Sequence, residues 1–363
     1  MTVEETSWLR LHLTPGLGPR RLLRLIAAFS DAGTILAERG AWQRRAGVEE
    51  KWAAVVPAAG DPRLRRTVQV LEEIGASLLP YTDPAFPPLL RAIPDPPALL
   101  YRRGILPVGE ALAVVGSRRA SDAGRRLTFE ICADLAAREI TIVSGLARGI
   151  DTTAHLGALE GGGTSVAVLG CGIDQIYPPE NAGLFDRLLE HGAIVSEYPP
   201  GTPPLAGHFP GRNRIISGLS RGTLIVEAAP GSGSLITAEF ALEQGREVFA
   251  MPASPLSPVS GGVNQLLKDG AQLVTDATDI CSVLWPQSRP RQQRQREEAF
   301  AGTLVGNART LYACLEKTPL HIDSLVRKSG LTPNEVSAIL LHLELQGGVE
   351  VLPGQRFIRT WRC

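Results

Sequence analysis

Two arginines, Arg212 and Arg214, flank Asn213 shortly after the aromatic residue Phe209, and the sequence predicts a loop from Phe209 to Arg214 after a Pro- and Gly-rich stretch. An aromatic ring next to guanidinium groups can stack a nucleic-acid base while the cations hold phosphates. The segment offers no nucleophile and no set of metal ligands. Its residue types therefore predict a site that holds nucleic acid and does not transform it.

Three further segments combine small residues with the predicted start of a helix, each directly after an apolar run. They are Gly116-Ser117-Arg118, the stretch with Gly145, Ala147 and Arg148, and Gly231-Ser232-Gly233-Ser234. Glycine permits close backbone approach, and the N-terminus of a helix favours an anion. Each segment alone is equally well explained as an ordinary turn. Together, at one edge of a sheet, they predict a backbone-lined groove for nucleic acid.

Charge does not support binding by bulk basicity, because 37 basic residues face 37 acidic ones. A nucleic-acid role needs a local positive surface instead. Nearly all the positive charge is arginine, which suits planar contacts with phosphate. The same bias can equally reflect genome composition.

The five cysteines, Cys132, Cys171, Cys281, Cys314 and Cys363, are scattered and form no C-x-x-C pair. Such a set is typical of a reducing cytosol, and no histidine falls at metal-ligand spacing. The chain shows neither a signal peptide nor an apolar run of about 18 residues. We expect a cytoplasmic protein with no membrane span and no metal.

The common enzyme signatures are incomplete, so we expect no cofactor and no catalytic residue. The GSGSLIT segment lacks the lysine of a P-loop. The glycine pairs lack the third glycine of a dinucleotide fingerprint. Asp151 and His155 lie four residues apart on a predicted helix, which could serve acid–base chemistry. A hydrogen-bonded structural pair is the favoured interpretation of these two residues.

Apolar runs alternate with helical segments from Ala111 to about Leu284, which predicts an α/β fold with a doubly wound, mostly parallel sheet. The runs are continuously apolar, as expected for strands covered by helices on both faces. The seven predicted strands are Ala111–Gly116, Ile140–Gly145, Thr164–Gly170, Ala193–Tyr198, Gly222–Ala228, Glu247–Pro252 and Ala271–Thr275. Arg125–Arg138 and Ser234–Gln244 are two of the predicted helices.

Residues 1–80 predict a small helical domain, and residues 81–285 the sheet domain, beginning with a Pro-rich connector from Tyr81 to Gly104. The turn at Gly16-Leu17-Gly18 resembles a helix-hairpin-helix, whose N–H groups can meet a DNA phosphate. A plain tight turn in a packed helical domain is the favoured alternative.

Residues 286–304 are polar and charged and predict a flexible linker. Residues 305–363 predict three helices followed by a two-stranded wing that turns at Pro353-Gly354, which is a winged-helix domain. Its third helix would be the one that reads DNA. That helix carries Glu335, Glu344 and leucines but no Lys or Arg, which favours a protein contact or a degenerate module.

The chain resembles the DprA/Smf family of bacterial DNA-processing proteins. The resemblance rests on the long motifs VVGSR, IVSGLARGIDTTAH, AVLGCGIDQIYPPEN, SEYPPGTPP, HFPGRNRIISGLS, VEA and SGSLITAEFALEQGREVFAMP, between about Tyr81 and Leu284. It implies an extended Rossmann-like domain that binds single-stranded DNA, forms a homodimer and helps load the RecA recombinase in natural transformation. It implies no catalysis.

Two positions depart from the family pattern. Ala253 stands where the family usually has glycine, so the following loop, 254–261, can be reshaped. The residues Leu205–His208 contain no lysine, so the local charge rests on arginines.

A second resemblance leads to a different class, the LOG-type nucleotide phosphoribohydrolases with their P-G-G-x-G-T-x-x-E motif. The segment PGSGSLITAE looks related, but Ser232 replaces a glycine and Glu239 comes one residue late. A catalytic role for Glu239 is therefore in doubt, and a solvent-exposed or locally paired side chain is expected. A nucleotide-binding pocket stays open as the alternative function.

Overall fold

A computed structural model describes residues 1–257, 260–291, 299–316 and 318–359 of the chain. It divides into two compact units, Met1–Ser288 and Arg289–Cys363. None of the described helices is long and apolar enough to cross a bilayer. The four described cysteines are free thiols, three of them buried. Cys363 and residues 292–298 of the predicted linker lie outside the described residues.

The first unit begins with a helical segment. Its helices are α1 (Val3–His12), α2 (Pro19–Phe29), α3 (Ala32–Ala37), α4 (Trp42–Ala46), α5 (Glu50–Ala54) and α6 (Pro62–Glu73), with a 3₁₀ turn at Arg39–Ala41. The N-cap side chains of Thr2 and Asp31 accept backbone N–H groups at the starts of α1 and α3. Trp8 and Trp42 are fully buried in the core of this segment.

A nine-stranded sheet forms the rest of the first unit. Its strands are β1 (Ser77–Pro80), β2 (Leu99–Gly104), β3 (Ala111–Gly116), β4 (Thr141–Ser144), β5 (Ser165–Leu169), β6 (Gly192–Ser196), β7 (Gly222–Val226), β8 (Glu247–Ala250) and β9 (Gln272–Leu273). The strand order is β1-β2-β6-β5-β4-β3-β7-β8-β9. Strands β3 to β9 run parallel, whereas β2 pairs antiparallel with both β1 and β6. The predicted mostly parallel α/β sheet is confirmed, with strand bounds that differ by a few residues.

The helices of the sheet region are α7 (Pro88–Arg91), α8 (Asp122–Ala137), α9 (Ile150–Glu160), α10 (Ala182–Glu190), α11 (His208–Gly218), α12 (Gly233–Glu243), α13 (Gly261–Lys268) and α14 (Ala277–Leu284), with a 3₁₀ turn at Pro179–Asn181. They cover both faces of the sheet. Along β3, Ala113 and Val115 join one apolar cluster, while Leu112 and Val114 join another. Burial on both faces explains why the strand is apolar throughout.

The predicted connector from Tyr81 to Gly104 was wrong, because it contains α7 and the sheet strand β2. The many prolines of this stretch favoured a connector over a strand, although Leu99, Leu100 and Tyr101 of β2 are fully buried. The predicted loop from Phe209 to Arg214 was also wrong, because α11 begins at His208. Pro210 is compatible with a helix there because the first-turn N–H groups have no partner within the helix.

The second unit has the predicted winged-helix elements. They are α15 (Gly306–Cys314), α16 (Ile322–Ser329), α17 (Pro333–Leu345), β10 (Leu320–His321), β11 (Val349–Leu352) and β12 (Arg356–Arg359), with the three strands in the order β10-β12-β11. Leu311, Leu325 and Leu340 lie in its core. Glu335 forms a capping box with Thr332 at the start of α17, so this acid stabilises the helix.

Candidate nucleic-acid interface

A cavity of about 610 Å³ lies beyond the carboxyl ends of β3 and β7. This is the edge at which open α/β sheets bind ligands. Ten of the residues predicted from the sequence line it: Gly116, Ser117, Arg118, Ala147, Phe209, Arg212, Asn213, Ser232, Gly233 and Ser234. The structure therefore brings together all four segments that the sequence singled out.

The other four predicted residues lie outside this cavity. Gly145 and Arg148 line an adjoining narrow cleft, which shares Arg118 and Phe209 with the cavity. Gly231 has a φ of 76° in the turn before α12. Arg214 lines a separate cavity of about 360 Å³. The fourteen residues thus do not form a single surface.

The most accessible cation–aromatic pair of the cavity is formed by Arg118 and Phe209. The exposed Arg118 guanidinium lies 5.5 Å from the centre of the half-buried Phe209 ring. The Tyr177 ring lies 5.7 Å from the same ring, tilted by 40°. An exposed cation over a ring at the mouth of a cavity can hold a phosphate close to a stacked base.

Arg148 is the second exposed cation of the site, and it is paired. Its guanidinium donates two hydrogen bonds to the carboxylate of Glu180. These hydrogen bonds lower the pKa of Glu180 below its usual range. A phosphate that approaches Arg148 has to compete with this carboxylate, so Arg118 is the freer of the two cations.

Arg212 is buried, with 4% of its surface exposed. Its guanidinium donates to the backbone carbonyls of Gly145 and Val168, at the ends of two neighbouring strands. Burial lowers the pKa of Arg212, and the nearby Asp151 carboxylate opposes that shift. The sequence analysis predicted that Arg212 contacts phosphate. In the structure its guanidinium bonds the backbone and supports the cavity wall.

Gly145 has no room for a side chain. A Cβ atom there would come 2.5 Å from Nη2 of Arg212 and 2.7 Å from Oδ2 of Asp151. The glycine is thus required by the two buried charged groups that flank it.

Asp151 and His155 do not form the predicted structural pair. The Asp151 carboxylate accepts the N–H groups of Gly145 and Ala147, whereas Nδ1 of His155 bonds the Ser165 hydroxyl. Burial raises the pKa of Asp151 and lowers that of His155 to about 3. The i, i+4 spacing was correct, but each side chain finds a better partner in a neighbouring strand or loop.

Arg214 faces away from the cavity. Its Nη2 lies 2.8 Å from Oε1 of Glu197, and its Nε lies 3.6 Å from Oδ2 of Asp95. Only 7% of its side chain is exposed. A guanidinium enclosed by two carboxylates is poorly placed to meet a phosphate, so the geometry does not support the phosphate contact predicted for it.

Glu227 is a cavity residue that the site prediction did not include. It follows β7 with a φ of 49°, a left-handed conformation that is uncommon for a residue with a side chain. Its carboxylate accepts the backbone N–H and the hydroxyl of Ser121, the N-cap residue of α8. The anion at the start of α8 is therefore the protein's own carboxylate, and ligand phosphate has to bind elsewhere.

The start of α12 is the more open helix N-terminus of the cavity. The Ser232 hydroxyl caps it, and Asn213 of α11 donates to the carbonyl of Gly233. Thr237, one turn further, also lines the cavity, and its fully buried hydroxyl has no hydrogen-bond partner. These groups offer hydrogen bonds to a ligand at the cavity wall.

Arg119 and Tyr177 are two further lining residues that the sequence prediction missed. Arg119 follows Arg118 directly and is exposed, so adjacency could have indicated it. Tyr177 comes from the loop before the 3₁₀ turn, distant in the chain from every predicted segment. No local sequence signal places its ring beside Phe209.

The geometry does not favour a nucleotide-hydrolase site. Glu239 is exposed on α12 and is not a lining residue of the cavity. Within the described ranges, no group of three or more His, Cys, Asp or Glu side chains could hold a metal ion.

Comparisons with known proteins identify the family of the chain. The family model of DNA recombination-mediator protein A matches residues 77–284, and the DprA winged helix domain matches residues 296–355. Protein Smf of Escherichia coli is 44% identical over 292 residues, which cover 78% of each chain.

Two solved structures share the fold. The DNA processing protein A of Streptococcus pneumoniae has a TM-score of 0.68 and 34% identity, covering 78% of this chain and 99% of its own. The Helicobacter pylori protein, described by its single-stranded DNA binding mode, has a TM-score of 0.54 and 29% identity, covering 59% and 97%. The matched residues contain the whole cavity, and the chain belongs to the family of DNA recombination-mediator protein A.

Proposed function

We propose that the protein binds single-stranded DNA in the cavity, without strong sequence preference and without catalysing a reaction. The observation that carries this proposal is the exposed Arg118 guanidinium over the Phe209 ring, at the mouth of a cavity lined by backbone and small side chains. Phe209 can stack only a base that is free of a duplex partner. The solved Helicobacter pylori relative, with its single-stranded DNA binding mode, supports the same class of ligand.

Weak sequence preference follows from the chemistry of the lining. A ring face accepts any base, and guanidinium groups and helix N–H groups meet phosphates that every nucleotide shares. Within this proposal Arg118 and Arg148 contact phosphate, the α12 start supplies N–H groups, and Arg212 holds the wall behind them.

The experiment is a titration of labelled single-stranded and double-stranded oligonucleotides over a range of salt concentrations. We expect tighter binding of the single strand, and Arg118→Ala should flatten its salt dependence by about 0.7 logarithmic units per lost phosphate contact. Arg187→Ala is the matched control, because Arg187 is an exposed arginine on α10 outside the cavity. Equal affinity for single and double strands, or identical slopes for both variants, would contradict the proposal.

Free nucleoside monophosphate separates this function from the nucleotide-hydrolase alternative. We expect it to compete weakly with the oligonucleotide and to stay intact. Release of the free base in proportion to protein concentration would instead indicate an enzyme.

We further propose, on the strength of family membership, that the protein acts in the cytoplasm as a homodimer that helps load RecA onto single strands in natural transformation. Light scattering should report twice the chain mass at micromolar concentration. RecA-driven strand pairing on DNA coated with single-strand-binding protein should speed up when the protein is added. A monomer with no effect on RecA would leave a plain single-strand binder.

A further inference from the structure

On helices α2 and α4 of the first unit, three cations have no carboxylate partner within the part of the chain that the structure describes. They are Arg21 and Arg24 on α2 and Arg44 on α4, two helices that pack against each other. Helix α2 contains no acidic residue at all. In a chain of zero net charge, this is a local concentration of positive charge that needs an explanation.

The Arg21 side chain is held in place. Nη1 of Arg21 donates to the carbonyl of Gly16 at 3.1 Å, and its guanidinium lies 5.1 Å from the centre of the Trp52 ring. Fixed cations lose less conformational entropy when they bind an anion than free ones do.

The acidic residues around these cations are already engaged. Asp31 caps α3 through the N–H of Thr34, and Glu38 pairs with Arg45. Glu49 pairs with Lys51. None of these three carboxylates forms an ion pair with Arg21, Arg24 or Arg44.

The neighbouring turn is not the anion site that a helix-hairpin-helix would provide. Trp52 packs onto Gly16 so closely that a Cβ atom there would lie 2.2 Å from a ring atom. The N–H of Leu17 is taken by the carbonyl of Thr14. Any anion therefore has to meet the arginine side chains and not the backbone of the turn.

We propose that Arg21, Arg24 and Arg44 form a second contact surface, which binds phosphates of a single strand beyond the nucleotides held in the cavity. The inference rests on the proposed function, since it extends the same bound strand. Guanidinium groups without carboxylates are complementary to a phosphate backbone. Arg21 and Lys51 both contact the Trp52 ring, which places a further cation beside this surface.

The test compares two lengths of single-stranded oligonucleotide on the full chain. One has about 6 nucleotides, enough for a single small site, and the other is several times longer. The variant is Arg21→Gln, Arg24→Gln and Arg44→Gln together. We expect unchanged affinity for the short strand, an affinity for the long strand about tenfold lower at low salt, and a salt slope lower by up to about 2 units.

The matched control removes three arginines from another helix of the same segment. Arg63, Arg65 and Arg66 are exposed on α6, and the same triple change to Gln leaves long-strand affinity near that of the unmodified chain if the α2–α4 surface is specific. Replacing Arg21, Arg24 and Arg44 by Lys should restore most of the binding, which shows that lost affinity does not reflect misfolding.

Several results would overturn the inference: equal long-strand affinity in the variant and the unmodified chain, equal losses in the control, or an equal loss on the short strand. A loss confined to duplex DNA, or poly-glutamate binding abolished by the variant while DNA binding is unchanged, would assign the surface to another partner. Failure of the proposed function is distinguishable, because then the unmodified chain binds neither length.

Discussion

The cavity of the first unit and helix α17 of the second unit are both placed by their folds where nucleic acid is commonly bound. The cavity combines an exposed cation, Arg118, with the Phe209 ring. Helix α17 instead exposes Leu341 and Leu345, which are 59% and 79% exposed, next to Glu344. The comparison teaches that fold places a surface, while side-chain charge decides what the surface can bind.

A second difference lies beneath these surfaces. The cavity stands on two buried charged groups, Arg212 and Asp151. Both bond backbone groups that follow β4, and Arg212 also bonds a carbonyl near the carboxyl end of β5. The core of the second unit is formed by apolar residues such as Leu311 and Leu340. Losing a buried charge should therefore damage the first unit far more than losing an exposed one damages the second.

The largest expected effect comes from Arg212→Ala. The change leaves the carbonyls of Gly145 and Val168 without their donor, and it removes the cation that acts most strongly on the buried Asp151 carboxylate. We expect the free energy of unfolding to fall by about 3–5 kcal/mol, measured by urea unfolding followed through tryptophan fluorescence.

Its counterpart in the second unit is Arg327→Ala, an exposed arginine of α16. We expect a change within about 0.5 kcal/mol. If Arg212→Ala keeps normal stability and yet loses DNA affinity, Arg212 contacts the strand directly, and the contrast between buried and exposed cations fails.

The next largest effect is expected from acid, which should lower the free energy of unfolding of the first unit. Burial lowers the pKa of His12 to about 4 and that of His155 to about 3, from 6.5 in the unfolded chain. Below pH 6.5 only the unfolded state takes up these protons, so the stability present above that pH is lost as the pH falls. At pH 5 the loss is about 2 kcal/mol per imidazole.

Among the described residues of the second unit, no histidine is buried. Urea unfolding of the first unit at pH 7 and pH 5 measures the effect, and a variant with His12→Gln and His155→Gln should show a smaller difference. An undiminished difference in that variant would mean that other groups cause the acid sensitivity.

Local pattern was enough to predict much of this molecule. Each of the seven apolar runs between Ala111 and Thr275 contains a strand. Strands β3 to β8 are mostly buried and therefore largely apolar, whereas both residues of β9 are exposed. The four Gly- and Ser-rich segments converge because parallel strands end at the same edge. The three helices and the wing of the second unit were predicted by helix periodicity and a Pro-Gly turn.

What failed depended on partners distant in sequence. Strand β2 follows a proline-rich stretch. Its partner strand β6 lies about 90 residues further along the chain, so no local pattern indicates their pairing. Arg212 can be buried because backbone carbonyls at the ends of two strands accept its hydrogen bonds. No local sequence pattern shows these partners. For the same reason Glu227, which meets Ser121 across 106 residues of sequence, could not be assigned.

A moderate effect on binding is expected from Phe209→Ala. If the ring stacks a base, its loss should weaken single-strand binding by about 1–3 kcal/mol with little change in the salt slope. Leu341→Ala, at an exposed apolar position of α17, should leave the affinity unchanged. Fluorescence anisotropy with one labelled oligonucleotide measures both. An equal loss of affinity in both variants would show that the winged-helix domain also contacts the bases.

The smallest effect on single-strand affinity is expected from removing the second unit altogether. A chain that ends at Ser288 keeps Trp285, whose indole N–H donates to Glu110, so the first unit retains its own contacts. Helix α17 has no lysine or arginine, and Glu335 is spent on its capping box. Phosphate contacts from this helix would require charge that it does not have. We therefore expect the shortened chain to bind single strands within a few-fold of the full chain, measured by the same anisotropy titration at low and high salt.

Arg356 and Arg359 on β12 are the cations that can contradict this expectation. A loss on the order of a hundredfold, about 2.7 kcal/mol, accompanied by a smaller salt slope, would show that the wing holds DNA where the helix does not.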